Sequence, residues 1–170
     1  KFILMSANGV DRRETDYEET KFQSERYLMK SDLDWTIIRP SLIFGDPHGK
    51  MEFCTQMRDE IIATPFPIPL FFKGLNILRS GSFKLSPIHA KNVAQFFIES
   101  VSNDETSKKI FEIGGTSSLT WIEIMHIISK ACKKKKLMIP VPLFAINLVA
   151  ALFDRFRWFP ITRSQIKMLI

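Results

Sequence analysis

The feature that most constrains this chain is the order of its segments between Lys1 and Gly45. A short apolar run, Phe2–Ser6, precedes a polar segment that opens at Asp16, and a second apolar run follows at Trp35–Pro40. Short apolar runs without alternation are typical of strands that are buried on both faces. A strand, a helix and a second strand within about 35 residues match the length of a parallel crossover unit. The order therefore predicts an α/β fold.

The helix of this unit is predicted from about Tyr17 to Lys30, with Asp16 as its cap and Glu19 completing a box-like pattern. Tyr17 and Lys21 are four residues apart and share one helical face. A phenol has a pKa of about 10, which a neighbouring ammonium lowers because it stabilises the phenolate. Such a pair can exchange a proton with a carbonyl or alcohol oxygen during hydride transfer.

The rest of the chain contains further segments with helix and strand patterns. Predicted helices cover Glu52–Ala63, Val93–Ser100 with Asn92 as its cap, and Thr120 to about Lys133, and predicted strands cover Phe83–Ile88 and Ile110–Ile113. Thr120 and Glu123 have the spacing of a capping box. Three strand-like segments alternate with helices and indicate a parallel sheet, namely Phe2–Ser6, Trp35–Pro40 and Ile110–Ile113.

Pro65, Pro67 and Pro69 alternate with apolar residues. This alternation fits neither a helix interior nor a central strand, and it predicts a stiff, extended loop. The loop either covers a pocket or is a packed connector.

Composition excludes several classes of protein. The net charge of +6 is not arranged as the aromatic and basic pattern of a nucleic-acid module, so no nucleic-acid partner is expected. Cys54 and Cys132 are isolated, which argues against a disulfide framework and a zinc site. The basic run Lys133–Lys136 is either a solvated loop or a surface for an anionic membrane or an acidic partner.

Leu143–Phe153 is apolar at every position except Asn147. Eleven residues are too few to span a bilayer, which needs about 20. The segment is either a buried helix or a surface that docks on a partner or a membrane interface. A short amphipathic helix is predicted at Thr162–Ile170. Because Lys1 already lies in an apolar strand, which needs neighbours to pair with, we expect the chain to be the C-terminal part of a longer protein.

Several motifs, taken in order, resemble the C-terminal half of the short-chain dehydrogenase/reductase superfamily, in its extended and atypical branch. They are Ser6-Ala7-Asn8-Gly9, Tyr17-x-x-x-Lys21, Trp35-Thr36-Ile37-Ile38-Arg39-Pro40-Ser41 with Phe44-Gly45, Pro87-Ile88-His89-Ala90-Lys91-Asn92-Val93-Ala94, and Phe111-Glu112-Ile113-Gly114-Gly115 with Leu119-Thr120. Pro140-Val141-Pro142 and Pro160-Ile161-Thr162 with Gln165 are similar to one subgroup. That subgroup includes the NAD(P)H-binding accessory subunit of mitochondrial complex I.

The resemblance implies the C-terminal part of a Rossmann-like, doubly wound parallel sheet with a small C-terminal α/β lobe for a substrate or partner. Residues 1–45 are then the end of the NAD(P)-binding domain. Residues 46–170 are a mixed lobe that returns one strand near 109–114. The expected cofactor is NAD or NADP, with NADP favoured, although the sequence lacks the family's glycine-rich dinucleotide loop.

The resemblance also assigns roles to individual residues. Tyr17 would donate or accept the proton, and Lys21 would hold the nicotinamide ribose. Because Ala7 and Asn8 occupy the usual positions of the catalytic serine or threonine, either Ser6 stands in for it or there is no complete triad. The nicotinamide side would be lined, largely through backbone groups, by Pro40, Ser41, Leu42 and Ile43. His89 and Arg39 are expected to be structural.

Three functions remain open at this point. The first is hydride chemistry on a small-molecule substrate by a reductase, epimerase or dehydratase. The second is a non-catalytic accessory or assembly subunit of a membrane-bound complex I-like NADH:quinone oxidoreductase, and the third is a sensor of the NADP redox state. The expected location is cytoplasmic, or peripheral on the inner face of the cytoplasmic membrane.

Overall fold

The computed structural model describes residues 1–46, 48–72 and 74–145. The chain begins with the strand–helix–strand order that its apolar pattern predicts: β1 Phe2–Met5, α1 Asp16–Met29 and β2 Trp35–Pro40. The elements that follow are β3 Ile43–Phe44, α2 Phe53–Met57, β4 Ile68–Phe72, β5 Lys84–Leu85, β6 Ile88–His89, α3 Ala90–Ser102, β7 Lys109–Ile113, β8 Leu119–Thr120, α4 Trp121–Ala131 and β9 Met138–Pro142.

The chain divides into two compact units. Unit 1 comprises residues 1–48 and 86–117, and unit 2 comprises residues 49–85 and 118–170. The sequence predicts a domain boundary after residue 45, between the end of an NAD(P)-binding domain and a C-terminal lobe. That boundary stays a prediction.

Unit 1 is built on a parallel sheet with the strand order β1-β2-β7. Phe2 pairs with Trp35, and Ile37 pairs with Ile110. Every residue of the central strand β2 is buried, which is why its sequence shows no alternation. The predicted α/β class with a parallel sheet is confirmed.

Helices cover both faces of this sheet. Trp35 and Ile37 of β2 pack with Leu28 of α1 on one face, whereas Ile38 packs with Val93 of α3 on the other. Successive residues of a strand point to opposite faces, so one apolar strand supplies two cores. This arrangement is doubly wound, as the resemblance implies.

The cap of α1 lies one residue before the predicted position. Thr15 has extended backbone angles, and its hydroxyl accepts the Glu18 N–H at 3.2 Å, while the Glu18 carboxylate accepts the Thr15 N–H at 3.1 Å. Two orphan donors of the first turn are thereby satisfied reciprocally. The prediction that Asp16 and Glu19 form the cap is wrong. Asp16 with Glu19 and Thr15 with Glu18 both have suitable side chains, and the extended backbone at Thr15 selects the second pair.

Unit 2 contains two short ladders and α4. β4 and β9 are parallel, with Ile68 opposite Met138, and β5 and β8 are antiparallel. The core of the unit is one apolar cluster around Trp121 and Met125 of α4. The Trp121 ring N–H donates to the Pro69 carbonyl at 3.0 Å and thereby ties α4 to β4. The predicted capping box of Thr120 and Glu123 is confirmed.

The proline-rich segment is only partly a loop. The prediction of a loop is wrong for Ile68–Phe72, which pairs with Met138–Pro142 although both strands contain proline. In a two-stranded ladder each strand is an edge, and proline is tolerated at edges because one side of the strand makes no ladder hydrogen bonds.

Three other predicted elements are corrected. The helix predicted over Glu52–Ala63 is a short α2 followed by a π-helical turn at Arg58–Ile62. The predicted strand Phe83–Ile88 splits into β5 and β6. His89, not Asn92, caps α3.

The predicted segments Leu143–Phe153, beyond Ala145, and Thr162–Ile170 lie outside the described residues. Over the ranges that are described, none of the helices has the length and apolar character needed to cross a bilayer.

Candidate functional site

The carboxyl ends of three parallel strands meet at one edge of the unit 1 sheet. Ser6 follows β1, and its N–H donates to the Ile38 carbonyl at 2.8 Å, while the Asn8 N–H donates to the Pro40 carbonyl at 3.0 Å. Ser41 follows β2, and its N–H donates to the Ile113 carbonyl of β7 at 2.8 Å. In open α/β sheets this edge is where ligands bind.

Helix α1 brings the predicted Tyr and Lys to the same edge. Lys21 Nζ donates to the Met5 carbonyl, the last residue of β1, at 3.0 Å. The same nitrogen lies 5.8 Å from the centroid of the Tyr17 ring. The helical spacing therefore produces a real proximity between the phenol and the ammonium, and a hydrogen bond anchors the ammonium to the strand end.

The protonation of Tyr17 differs from the expectation. Its side chain is 48% exposed, and its partial burial raises the phenol pKa above 10.0. The predicted lowering of this pKa by Lys21 is wrong in this structure, because burial disfavours the charged phenolate and sets the direction of the shift.

Ser6 is buried, with 3% of its surface exposed, at the end of β1. Its hydroxyl oxygen has no hydrogen-bond partner among the described residues. A buried hydroxyl without a partner is costly, and a bound ligand or water is what ordinarily satisfies such a group. Ser6 therefore fits a position next to a ligand, although its hydroxyl is far less accessible than the Tyr17 ring.

The segment after β2 is fixed by backbone pairing. Ile43–Phe44 pairs with Ile88–His89, and the Ile88 N–H donates to the Leu42 carbonyl at 2.8 Å. The Ser41 N–H and the Leu42 carbonyl thus already have protein partners. Both groups belong to the backbone that is expected to line a nicotinamide, and both already hold the loop in place. Ser41, Leu42 and Ile43 are half-buried.

A glycine makes this pairing possible. A Cβ on Gly115 would lie 2.0 Å from the Pro87 carbonyl oxygen, a distance that no side chain can occupy. Gly115 follows β7 and Pro87 precedes β6, so the two backbones approach each other closely at this point. Residue 115 must therefore be glycine if the strand ends are to keep this arrangement.

Arg39 is buried and serves structure rather than phosphate binding. Its guanidinium donates to Glu25 at 2.6 and 2.9 Å, to Asp11 at 2.7 Å and to Glu112 at 3.4 Å. Glu25 is itself almost fully buried. The expected structural ion pair is confirmed, and it ties α1, which carries Tyr17 and Lys21, to β2.

None of the three partners of Arg39 was identified from sequence. Asp11 lies in a short 3-10 turn, Glu25 in α1 and Glu112 in β7, so none has a fixed local spacing to Arg39. A signal was present for Glu112, because it is the charged residue within the apolar run Ile110–Ile113.

His89 is structural, as expected. Its Nδ1 accepts the Lys91 N–H at 3.1 Å, and its ring lies edge-on to Phe44 with the centroids 5.3 Å apart. The described residues contain no group of three or more His, Cys, Asp or Glu side chains that could hold a metal ion.

Comparison with known proteins gives two kinds of relative. No protein-family model matches the sequence. The chain is 24% identical over 168 residues to the mitochondrial NADH-ubiquinone oxidoreductase 40 kDa subunit of Neurospora crassa, which covers 97% of this chain and 40% of that protein. It is 30% identical over 143 residues to subunit 9 of the mitochondrial NADH dehydrogenase 1 alpha subcomplex of Dictyostelium discoideum, covering 83% of this chain and 37% of that protein.

Among solved structures, the fold is similar to that of UDP-glucuronic acid 4-epimerase from Bacillus cereus in complex with NAD. The TM-score is 0.64 at 14% identity, over 83% of this chain and 49% of the epimerase. This likeness concerns the fold. The chain thus spans less than half the length of the two curated relatives, and about half of the epimerase chain.

The fold and these relatives confirm the resemblance to the extended and atypical branch of the short-chain dehydrogenase/reductase superfamily that the ordered motifs indicate. Within that class the chain is similar to the complex I subunits named above. The resemblance to this subgroup that the ordered motifs indicate is confirmed.

Proposed function

We propose that the whole protein binds NAD(H), that this chain supplies the nicotinamide side of the site, and that the protein is a non-catalytic accessory subunit of a membrane-bound respiratory complex. The observation that carries the proposal is the bond from Lys21 to the Met5 carbonyl. It holds an ammonium at the carboxyl edge of the parallel sheet, where ligands bind in this fold.

The roles of the site residues follow from their positions. The Lys21 ammonium has two donors beyond the bond to Met5, which suit the two hydroxyls of a ribose. The unpartnered Ser6 hydroxyl suits a polar group of the same ligand. Pro40, Ser41, Leu42 and Ile43 would line the ring side. The bound group would accept or donate a hydride, and this chain would orient it.

The accessory role is favoured over turnover by the curated relatives. Both named curated relatives are subunits of respiratory NADH dehydrogenases, which supports a membrane-bound complex as the partner and a peripheral membrane location.

Hydride chemistry on a small-molecule alcohol or carbonyl is the second candidate. The observation that favours it is the 5.8 Å separation between Lys21 Nζ and the Tyr17 ring, since a bound nicotinamide that displaces water could alter the balance between desolvation and attraction. Under this candidate, Tyr17→Phe abolishes turnover and preserves cofactor binding.

The test is a nucleotide-binding measurement on the full-length protein. NADH titration followed by fluorescence should give about tenfold weaker binding for Lys21→Ala, the loss of a charged hydrogen bond. Tyr17→Phe should bind as the wild type does. Lys30→Ala, at the exposed end of the same helix, is the matched control and should also bind normally.

Two outcomes would contradict the proposal. Equal NADH affinity of Lys21→Ala and wild type would remove Lys21 from the site. Turnover of any carbonyl or sugar-nucleotide substrate that is lost in Tyr17→Phe would replace the accessory role by the enzymatic one. Mass spectrometry of the nucleotide released on denaturation tests the proposed NAD(H) against NADP(H), which the sequence-based expectation favoured.

A further inference from the structure

We infer that one edge of unit 2 is a docking surface for an anionic lipid bilayer. The docking edge, as we call it, consists of Leu75, Ile77, Leu78 and Phe144 with the basic residue Arg79. This inference rests on the peripheral membrane location proposed above, but not on nucleotide binding.

The first observation is the exposure of the aliphatic side chains. Leu75 is 95% exposed, Leu78 98% and Ile77 58%, in a loop that follows β4. Single exposed leucines are ordinary, whereas three large aliphatic residues within four positions form a patch that water disfavours.

The second observation is that this loop is held in shape by its own backbone. The Gly81 N–H donates to the Phe71 carbonyl at 2.8 Å and closes the loop. Inside it, the Arg79 N–H donates to Asn76 at 3.2 Å and the Ser80 N–H to Ile77 at 3.0 Å. These backbone hydrogen bonds hold the loop in shape, and its aliphatic side chains are exposed to solvent. The loop therefore does not need the exposed side chains in order to fold.

The third observation comes from the parallel ladder. Phe72 pairs with Pro142, the last residues of β4 and β9, so the chain leaves both strands at the same edge. Phe144, which is 69% exposed, therefore emerges beside the loop. The sequence continues with apolar residues as far as Phe153.

Charge favours an anionic lipid. The basic run Lys133–Lys136 precedes β9 and lies at the other end of the β4–β9 ladder, so Arg79 is the basic group of the docking edge itself. Unit 2 contains 14 basic and five acidic residues, a net charge of +9, whereas unit 1 contains ten basic and 13 acidic residues, a net charge of −3. Neither Ile61–Leu85 nor Ile124–Phe153, the stretches around β4 and β9, contains an acidic residue. Lys73 and Arg79 flank the aliphatic residues in sequence. Apolar side chains flanked by basic ones match an anionic bilayer interface.

The size of the patch argues against a protein partner at this edge. A stable protein interface uses roughly 20 residues on each side, with Trp, Tyr and Arg as the main anchors. A tip of four large apolar residues is much smaller, and leucine is rarely a dominant anchor. A bilayer accepts such a tip because insertion requires no matching surface.

The test is co-sedimentation of the full-length protein with vesicles. Wild-type protein should bind vesicles of phosphatidylcholine with 30% phosphatidylglycerol more tightly than pure phosphatidylcholine. Leu75→Ser/Leu78→Ser should weaken binding by about 100-fold, or tenfold for each leucine. Arg79→Gln should weaken it by about fivefold on anionic vesicles only. Ile98→Ser, which removes a 71% exposed aliphatic residue from α3 in unit 1, is the matched control.

Each outcome decides the inference. The expected ranking of variants supports it. Wild-type binding that Leu75→Ser/Leu78→Ser leaves unchanged overturns the docking edge but not the membrane location. Absence of vesicle binding, with fractionation only to membranes that contain protein, overturns the docking edge and indicates that a protein partner holds the chain at the membrane. NADH affinity should be equal in all variants, so failure here is separate from failure of the nucleotide site.

Discussion

Charged side chains are distributed differently in the two units. Unit 1 has a net charge of −3, and it contains all three buried charged residues of the described chain, Glu18, Glu25 and Arg39. Unit 2 has a net charge of +9 and an apolar core cluster, and Leu75, Ile77 and Leu78 are exposed in the loop after β4. Buried charges with fixed partners hold the surrounding elements in one position, as a ligand site requires. Exposed apolar and basic groups can bind another surface, as a peripheral protein requires.

The largest expected effect tests how rigid the backbone is in each unit. Gly115→Ala in unit 1 should destabilise by more than about 4 kcal/mol, because its Cβ would meet a backbone oxygen that cannot move aside. Gly81→Ala in unit 2 should cost about 1–2 kcal/mol, for a positive φ and a contact with the movable Ile122 side chain. Urea unfolding followed by circular dichroism measures both, and equal losses would remove the contrast.

The next effect tests how much the buried ion pair of Arg39 and Glu25 contributes to the stability of unit 1. Arg39→Met leaves the buried Glu25 carboxylate without its main partner and should cost about 3–5 kcal/mol. The double variant Arg39→Met/Glu25→Leu removes both buried charges and should recover most of that loss. Arg58→Met, which breaks the exposed Arg58–Asp59 pair of unit 2, should change stability too little to measure. A double variant as unstable as Arg39→Met would refute the explanation.

A smaller effect compares two helix caps of the same kind. Thr15→Ala should cost about 1–2 kcal/mol, because both Thr15 and its partner Glu18 are buried. Thr120→Ala, at the more exposed box that begins α4, should cost about 0.5–1 kcal/mol. Thermal unfolding of the two variants in one buffer gives the ranking, and a larger loss for Thr120→Ala would reverse it.

The smallest effect concerns Cys54 in unit 2. Burial, and secondarily the Glu52 carboxylate, raises its thiol pKa from 9.0 to about 11. The folded state therefore prefers the neutral thiol, so its contribution to stability is complete below pH 9 and is lost as the pH rises toward 11. At pH 8 we expect iodoacetamide to modify native Cys54 roughly 100-fold more slowly than denatured Cys54. Peptide mass spectrometry measures this ratio, and a ratio below fivefold would contradict the raised pKa.

The sequence by itself determined the elements whose signals are local. The apolar patterns at Phe2–Met5 and Trp35–Pro40 specify two strands, and the spacing between them fits a parallel crossover. Only β2 is buried throughout, and the prediction of a fully buried first strand is wrong because Phe2 and Met5 are about half exposed. The four-residue spacing of Tyr17 and Lys21 placed both side chains on one helical face. Thr120 and Glu123 formed the predicted box, because none of the Ser and Thr residues just before Thr120 has Glu or Gln three residues later.

Only the tertiary structure decided the features that depend on residues far apart in sequence. The protonation of Tyr17 follows from its surroundings, and the partners of Arg39 come from a turn, a helix and a distant strand. Ile68–Phe72, in the proline-rich segment, forms a strand because it pairs with Met138–Pro142. Pairing and desolvation are set by whichever groups the fold brings together, and a linear pattern does not contain that information.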